Sequence, residues 1–412
     1  MCISCKKRIF AEYTQFCILQ RKTMETLLGK TLSELQEVAQ GVGLPKFAGK
    51  QLAEWLYIRR ATSFDEMTNI SLRGREALKT QYTIGRHAPV AHAESADGTK
   101  KYLFQIGNQY IESVYIPDGD RATLCVSTQM GCKMGCRFCM TGTLGFHGQL
   151  SAAEILNQIL FFPLTSDTPS KIPTAELSRG VPLTNVVYMG EGEPFDNIDN
   201  VLRSLEVMTA TWGCAWSPRR ITVSSVGVLP GLRRFLDESE CHLAISLHNP
   251  FAIERQQVMP AEKLYHLTDV VSLLKQYDWE HQRRVSFEYI CWAGINDTPK
   301  HANELLRLLR GLNCRINLIR FHAGAEEIRK NKEQRTRNKE QRTEDKKINN
   351  KEQEAKPKDP NPCFPASDEK QMEWFRDYLT THGITTTIRR SRGEDILAAC
   401  GMLVNALQNA TC

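Results

Sequence analysis

The sequence predicts an α/β chain: a partial (βα)6 barrel, preceded by a small helical domain and a short β-rich connector. Three observations point there. From residue 122 onward, short β-branched runs alternate with helical patterns six times. A cysteine-rich loop follows the first of those runs. Residues 24–85 carry helical spacing and capping signals instead. Serial β–α units build a parallel sheet with chemistry at the strands' C-terminal ends, either curled as a barrel or flat and doubly wound; periodicity alone leaves both open.

In chain order, residues 1–23 show no helical or strand period and read as a mobile extension, with Met24 as an alternative start. Capping boxes at Thr31/Glu34 and Ser63/Glu66 open two helical stretches. Between them, Leu52, Trp55, Leu56 and Ile58 recur at near-helical spacing. A third helix is expected over 72–82, and 24–85 form the helical domain. Residues 86–117 are the β-rich connector, with hairpin signals at Asp97-Gly98 and Gly107-Asn108. The core, 118–404, has candidate strands at 123–127, 185–189, 220–225, 242–247, 285–290 and 315–320. Helical patterns follow near 152–161, 198–210, 229–238, 263–277, 299–310 and 368–381, and a last strand at 384–389. Ser151 with Glu154 is a further capping box.

Composition bounds the function. The 412 residues are 41% hydrophobic, 8% aromatic and 24% charged. Those fractions exclude a wholly disordered or collagen-like chain, and at roughly 100–200 residues per domain they allow two or three domains. No run of about 18 apolar residues exists to span a membrane. The N-terminus has no unbroken apolar stretch of the secretory kind, so a cytoplasmic protein is expected. Residues 327–358 hold 12 basic and 7 acidic side chains, +5 of the chain's +6, leaving the rest at +1. Bulk charge therefore does not demonstrate an RNA-binding face. This insert repeats NKEQRT and has three apolar residues in 32, too few to offset its ordering entropy. It reads as a disordered charged loop or frayed helix, with an RNA-binding arm as the alternative. Fourteen cysteines without a secretion signal read as metal ligands, redox groups or small buried hydrophobes.

Cys132, Cys136 and Cys139 are spaced C-x3-C-x2-C directly after the first barrel strand. Three such thiolates, with Gly131 and Gly135 letting the backbone wrap, suit a four-iron cluster with one iron left open for a ligand. A structural zinc site is the alternative, and it needs a fourth ligand; His147 is the nearest candidate. Downstream, Gly192 and Glu193 end the 185–189 strand, where small residues admit a ligand and the carboxylate can accept from an ammonium. An ordinary turn is the other reading. Ser224, Ser246-Leu247-His248 and Asn317 mark three more strand ends, and polar residues converging on one rim favour a site. Cys125 and Cys400 read, on their own, as buried small hydrophobes, and Glu112 as an exposed strand glutamate.

C-x3-C-x2-C is the radical S-adenosylmethionine (SAM) signature. The wider text CVSTQMGCKMGCRFCMTGTLGF resembles the RlmN group of RNA adenine methyltransferases, relatives of the Cfr resistance enzymes. LPKFAGKQLAEWLY, YIPDGDRATLC, NVVYMGEGEP, AISLHNP, INLIRF and RRSRGEDILAACG extend the resemblance from about Leu44 to Met402. Two departures stand out: Glu191, where the family often has Met, and Met402, where Gln is frequent.

The resemblance implies one [4Fe-4S] cluster on Cys132, Cys136 and Cys139, and two SAM molecules per turnover, one as methyl donor and one as radical source. Gly192, Glu193, Ser224, Ser246, Leu247, His248 and Asn317 become SAM contacts. Cys400 becomes the S-methylated carrier, Cys125 its resolving partner through a transient disulfide, and Glu112 the proton acceptor. Adenine C2 is neither acidic nor nucleophilic, so ordinary methyl transfer fails there. The family route instead methylates Cys400, removes a hydrogen from that methyl with a 5′-deoxyadenosyl radical, and adds the carbon to the base.

The implied substrates are adenine 2503 of 23S rRNA, before ribosome assembly is complete, and adenine 37 of tRNAs. An electron donor such as flavodoxin or ferredoxin, and a monomer, complete the expectation. The target base is expected to unstack into the pocket. Lys46, Lys50, Arg59 and Arg60 of the helical domain are candidate RNA contacts. Cfr-like C8 methylation and a non-catalytic zinc-binding RNA module are the competing readings.

Overall fold

The computed structural model describes residues 24–164, 181–279, 284–322, 364–399 and 401–403. The extension at 1–23, the charged insert at 327–358 and Cys400 lie outside them. The chain divides into two compact units at Arg86–His87. Among the described residues no helix is long and apolar enough to cross a membrane.

In the first unit β1 (Glu25–Thr26) pairs in parallel with β2 (Tyr82–Thr83). Between them lie α1 (Leu32–Gly41), α2 (Ala48–Ala53) and α3 (Leu72–Gln81). Both capping boxes form, at Thr31/Glu34 and Ser63/Glu66. After α2 the chain opens into a π turn over Glu54–Ile58. The wider turn shifts the buried stripe by one residue. Tyr57 turns inward, its hydroxyl donating to Lys30 O at 2.5 Å, while Ile58 faces solvent. The expected basic face is corrected too. Arg60 is buried, and Arg59 pairs with Glu54 and covers the Trp55 ring. Lys46 and Lys50 remain exposed, flanking an exposed Phe47.

The second unit holds one ten-stranded sheet. Three antiparallel strands lead, β3 (Ala91–Glu94), β4 (Lys100–Ile106) and β5 (Gln109–Asp118). They are continuous with the core sheet, because β5 turns at Gly119 and pairs with β6 (Arg121–Cys125). A small hairpin of β7 (Gln129–Gly131) and β8 (Phe146–Gln149) follows. The parallel strands are β6, β9 (Asn185–Tyr188), β10 (Ile221–Ser225), β11 (His242–Ser246), β12 (Val285–Cys291), β13 (Cys314–Arg320) and β14 (Thr385–Ile388). They neighbour one another in strict chain order. A doubly wound sheet reverses its order at a switch point; an unreversed order with right-handed crossovers keeps every helix on one face.

Curvature follows from one ion pair. Arg392, four residues beyond β14, reaches Asp118 at the end of β5 at 2.9 Å. A flat sheet would separate those strands by seven spacings, roughly 34 Å. Four extended residues span at most about 14 Å. The sheet therefore curls as a partial barrel.

The convex face is apolar. Leu124, Val186, Val223, Leu243, Phe287 and Ile316 are fully buried there. Tyr188 bonds Ser204 on α6 (Ile198–Thr209), and Tyr289 stacks on Phe375 of α11 (Glu369–Thr381). The remaining core helices are α4 (Met140–Leu144), α5 (Ala152–Leu160), α7 (Leu229–Glu238), α8 (Ala252–Val258), α9 (Leu267–Leu274) and α10 (Pro299–Leu308).

Candidate active site

Register decides which side chains share the concave face. Residues paired across a ladder point the same way. Lys101 pairs with Val114, Val114 with Cys125, and Cys125 with Val187. Val187 pairs with Thr222, two residues before Ser224. Ser224 pairs with Ala244, two residues before Ser246. Ser246 pairs with Glu288, Glu288 with Asn317, and Asn317 with Thr387. One helix-free face thus carries Lys101, Glu112, Cys125, Ser224, Ser246, Glu288, Asn317 and Thr387. Across it Asn317 donates to Glu288 at 2.7 Å and accepts from Thr387 at 2.9 Å. Burial raises the Glu288 carboxyl above its usual range.

The cysteine loop leaves β7 at Gly131, whose φ of +70 and contact with Gly145 O exclude any Cβ. Cys132 N donates to Gly145 O, Arg137 N to Val258 O, and Cys139 caps α4. The three thiols lie within mutual electrostatic reach. Burial, with Cys139, Glu193 and Asp196 nearby, pushes the Cys132 thiol up to about 12. Burial and the other two thiols raise Cys136, and burial raises Cys139. The buried Arg255 guanidinium opposes this at Cys136. A group binding them as thiolates must therefore supply compensating positive charge. A four-iron cluster would supply that charge, with Cys132, Cys136 and Cys139 as the residues to hold it. Zinc needs four donors about one centre. Among the described residues no three His, Cys, Asp or Glu side chains, these cysteines included, gather closely enough to hold a metal ion. His147, the candidate fourth ligand, hydrogen-bonds Leu144 O at 3.0 Å.

The Gly190–Pro194 segment lies against this loop. A Cβ at Gly192 would sit 2.4 Å from that of Gln129, and its φ is +98. Glu193 is buried, accepts from Phe195 N and Val226 N, and is pushed up to about 7 by that burial. Glu191 has a specific structural place. Its carboxyl accepts from Glu112 N at 2.9 Å and Gly131 N at 3.4 Å, tying β5 to the cluster loop. Burial, then Glu112, pushes it up to about 8, so it is largely neutral at pH 7.

His248, in the left-handed region with φ of 57, accepts from Ile290 N at its Nδ1. Its ring meets Phe138 of the cluster loop edge-on at 4.7 Å. Burial and Arg255 push it down to about 3, so it stays uncharged. Arg255 donates to the carbonyls of Val226, Ser246 and Leu247, and pairs with Glu262. It thereby fixes the ends of β10 and β11. Sequence reading passed over Arg255, Glu288 and Lys101. A cation two residues from Leu103 in an alternating strand was the one available signal for Lys101.

The C-terminal segment returns over the concave face. Asp395 accepts from Ser95 Oγ at 2.5 Å and Ala96 N at 3.2 Å, and Gly393 N donates to Asp97. Ala398 and Leu403 form one apolar cluster with Val114, against which Cys125 packs. Met140 N donates to Gly401 O, and Thr141 Oγ1 to Leu403 O. The residues on both sides of Cys400 thus lie beside Cys125 and the cluster loop. Glu112 is buried, not exposed, and pairs with Lys101 at 3.1 Å.

Comparison with known proteins bears on this site. A family described as ribosomal RNA large subunit methyltransferase N-terminal domain matches residues 26–84. A protein of Bacteroides fragilis named probable dual-specificity RNA methyltransferase RlmN is 51% identical over 383 residues, spanning 93% of this chain and 97% of its own length. The chain belongs to the RlmN family. A relative from Syntrophobacter fumaroxidans, named dual-specificity RNA methyltransferase RlmN, is 36% identical and spans 91% of this chain and 96% of its own. The crystal structure of a radical SAM methyltransferase from Sphaerobacter thermophilus matches with a TM-score of 0.74 and 33% identity, covering 92% of this chain and 99% of that one. Membership of the RlmN family makes this chain an RNA methyltransferase of the radical SAM class, for which SAM and a [4Fe-4S] cluster are the implied cofactors.

Proposed function

We propose that this enzyme methylates C2 of an adenine, at position 2503 of 23S rRNA and position 37 of tRNAs, through Cys400. Cys132, Cys136 and Cys139 would hold the cluster. When bound, the cluster and SAM supply the methyl group and the radical that activates it. The chain's own residues do the rest. Glu193, Ser224, Ser246, Leu247, His248 and Asn317 line the SAM side of the concave face, and Gly192 gives it room. Cys400 carries the carbon to the base. Glu112 accepts the proton lost from C2, and the unpaired electron of the adduct would leave to the cluster, which supplies that one-electron chemistry when bound. The Cys125 thiolate then attacks the Cys400 sulfur: an S–S bond forms, the S–C bond breaks, and its electron pair stays on carbon, which is protonated to a methyl group. A flavodoxin- or ferredoxin-type donor and a monomeric cytoplasmic enzyme complete the reading.

The observation that carries this reading is the docking of the segment around Cys400. Ala398 and Leu403 pack beside Cys125, Gly401 bonds next to Cys139, and Glu112 shares the same face. The test is mass spectrometry of nucleosides from rRNA and tRNA of a deletion strain. Loss of 2-methyladenosine from both supports it. Loss of 8-methyladenosine instead indicates the Cfr-like reaction, and loss of neither overturns it.

A further inference from the structure

We propose that Lys101 is a positioning residue that couples the proton acceptor to the methyl-carrying segment. This rests on the reading of Glu112 and Cys400 above. Two contacts from one ammonium carry it. Lys101 Nζ lies 3.1 Å from Glu112 Oε1 and 3.4 Å from Leu397 O. Leu397 is three residues before Cys400, and its φ of 54 turns its backbone into the left-handed region. Non-glycine residues hold that conformation only where surroundings over-determine it. Here the surroundings are the Gly393–Ala398 turn, closed by Ala398 N to Gly393 O at 2.8 Å, and the Leu397 side chain against Met140 and Leu144.

Lys101 and Glu112 are both buried. An unpaired buried charge is expensive, so each fixes the other. Among the described residues, further ionisable neighbours on the packed elements include Glu191, whose carboxyl accepts from Glu112 N, and Cys125 on β6. Lys101 is the cation among these groups. It has three donors. One holds the carboxylate at a set distance from the cluster-bearing side, and one holds the carbonyl of the arm that delivers the carbon. The acceptor and the arm are therefore set by a common atom.

The test compares Lys101→Met, Lys101→Arg, Glu112→Gln and the Lys101→Met/Glu112→Gln double variant, each loaded with cluster. Methylation of Cys400 is read by peptide mass spectrometry, and release by turnover and by nuclease-sensitive covalent protein–RNA adduct. Lys101→Met is expected to retain Cys400 methylation, accumulate adduct, and lose turnover by about 10²-fold or more, the range a general base contributes. Lys101→Arg should restore part of the loss. In the Glu112→Gln background, removing Lys101 should add little, because the two act as one unit. That double variant leaves no unpaired buried charge, so it keeps the test alive if Lys101→Met does not fold. Wild-type release in folded Lys101→Met, or full additivity in the double variant, overturns the proposal. Normal turnover in Glu112→Gln instead overturns the underlying role of Glu112.

Discussion

The backbone N–H of Met140 donates to the carbonyl of Gly401 at 2.8 Å. One residue before Met140 is a proposed cluster cysteine, and one residue before Gly401 is the proposed methyl carrier. Gly401 has a φ of +78, and a Cβ there would stand 3.5 Å from Phe138 O, an ordinary contact. Gly401→Ala therefore meets backbone strain of roughly 1–2 kcal/mol and no clash. The expected outcome is unchanged iron and sulfide content with a lowered fraction of methylated Cys400. Peptide mass spectrometry beside iron analysis checks it.

Cys132→Ala, Cys136→Ala and Cys139→Ala should each abolish cluster assembly and SAM cleavage. On the proposed reading these three thiols would hold the cluster, and losing one would remove a third of that hold. Iron and sulfide content after anaerobic reconstitution is the measurement. Near-normal content in any one variant would remove that cysteine from the ligand set.

Cys125→Ala and Cys400→Ala should fail differently. Without Cys400 there is no sulfur to methylate, so no bond to RNA forms. Without Cys125 the carrier is methylated and adds to the base, and then nothing resolves it. Cys125→Ala purified from cells should carry a covalent RNA adduct that survives denaturing gels and disappears with RNase. Its absence from a folded, cluster-loaded preparation would refute this division of roles.

Glu191→Gln should flatten the pH dependence of stability. Burial raises the Glu191 carboxyl from 4.5 to about 8 in the fold, so the folded chain keeps a proton that the unfolded chain releases. Its contribution is fully present below about pH 4.5 and is lost as pH rises through about 8. Glu193, raised to about 7, acts with the same sign, so the slope should shrink without vanishing. Tm measured between about pH 5 and pH 9 decides it. An unchanged slope would mean that Glu191 is ionised throughout.

Most strands and helices of the core were legible from their period and caps: burial alternates along 185–188, and Ser151/Glu154 announces α5. The β7–β8 hairpin, α4 and α8 were not. They are three to seven residues long, and backbone bonds to distant segments hold them. Strand order showed what periodicity left open, that the sheet is not doubly wound. Ser224 and Ser246 were visible as polar residues at strand ends; Asn317, expected at a strand end, lies in the middle of β13, and Glu288 was not visible at all. A glutamate inside VSFEYIC reads as solvent-facing until the ladder places it between Ser246 and Asn317. Glu191 looked like a gratuitous charge. Its acceptors' partners, the N–H groups of Glu112 and Gly131, are 79 and 60 residues away and invisible to any local pattern.

The clasp between Ser95 and Asp395 joins residues 300 positions apart. Contacts of such separation close late, because the intervening loop must be ordered first. On the ribosome, at about 5–20 residues per second, the sheet through β13 is synthesised well before Asp395 emerges. A nascent or truncated chain ending ahead of Arg392 therefore has the proposed cluster cysteines but neither the clasp nor the proposed methyl carrier. On the proposed reading, the site is therefore completed only when the segment beyond β14 docks on a sheet already formed.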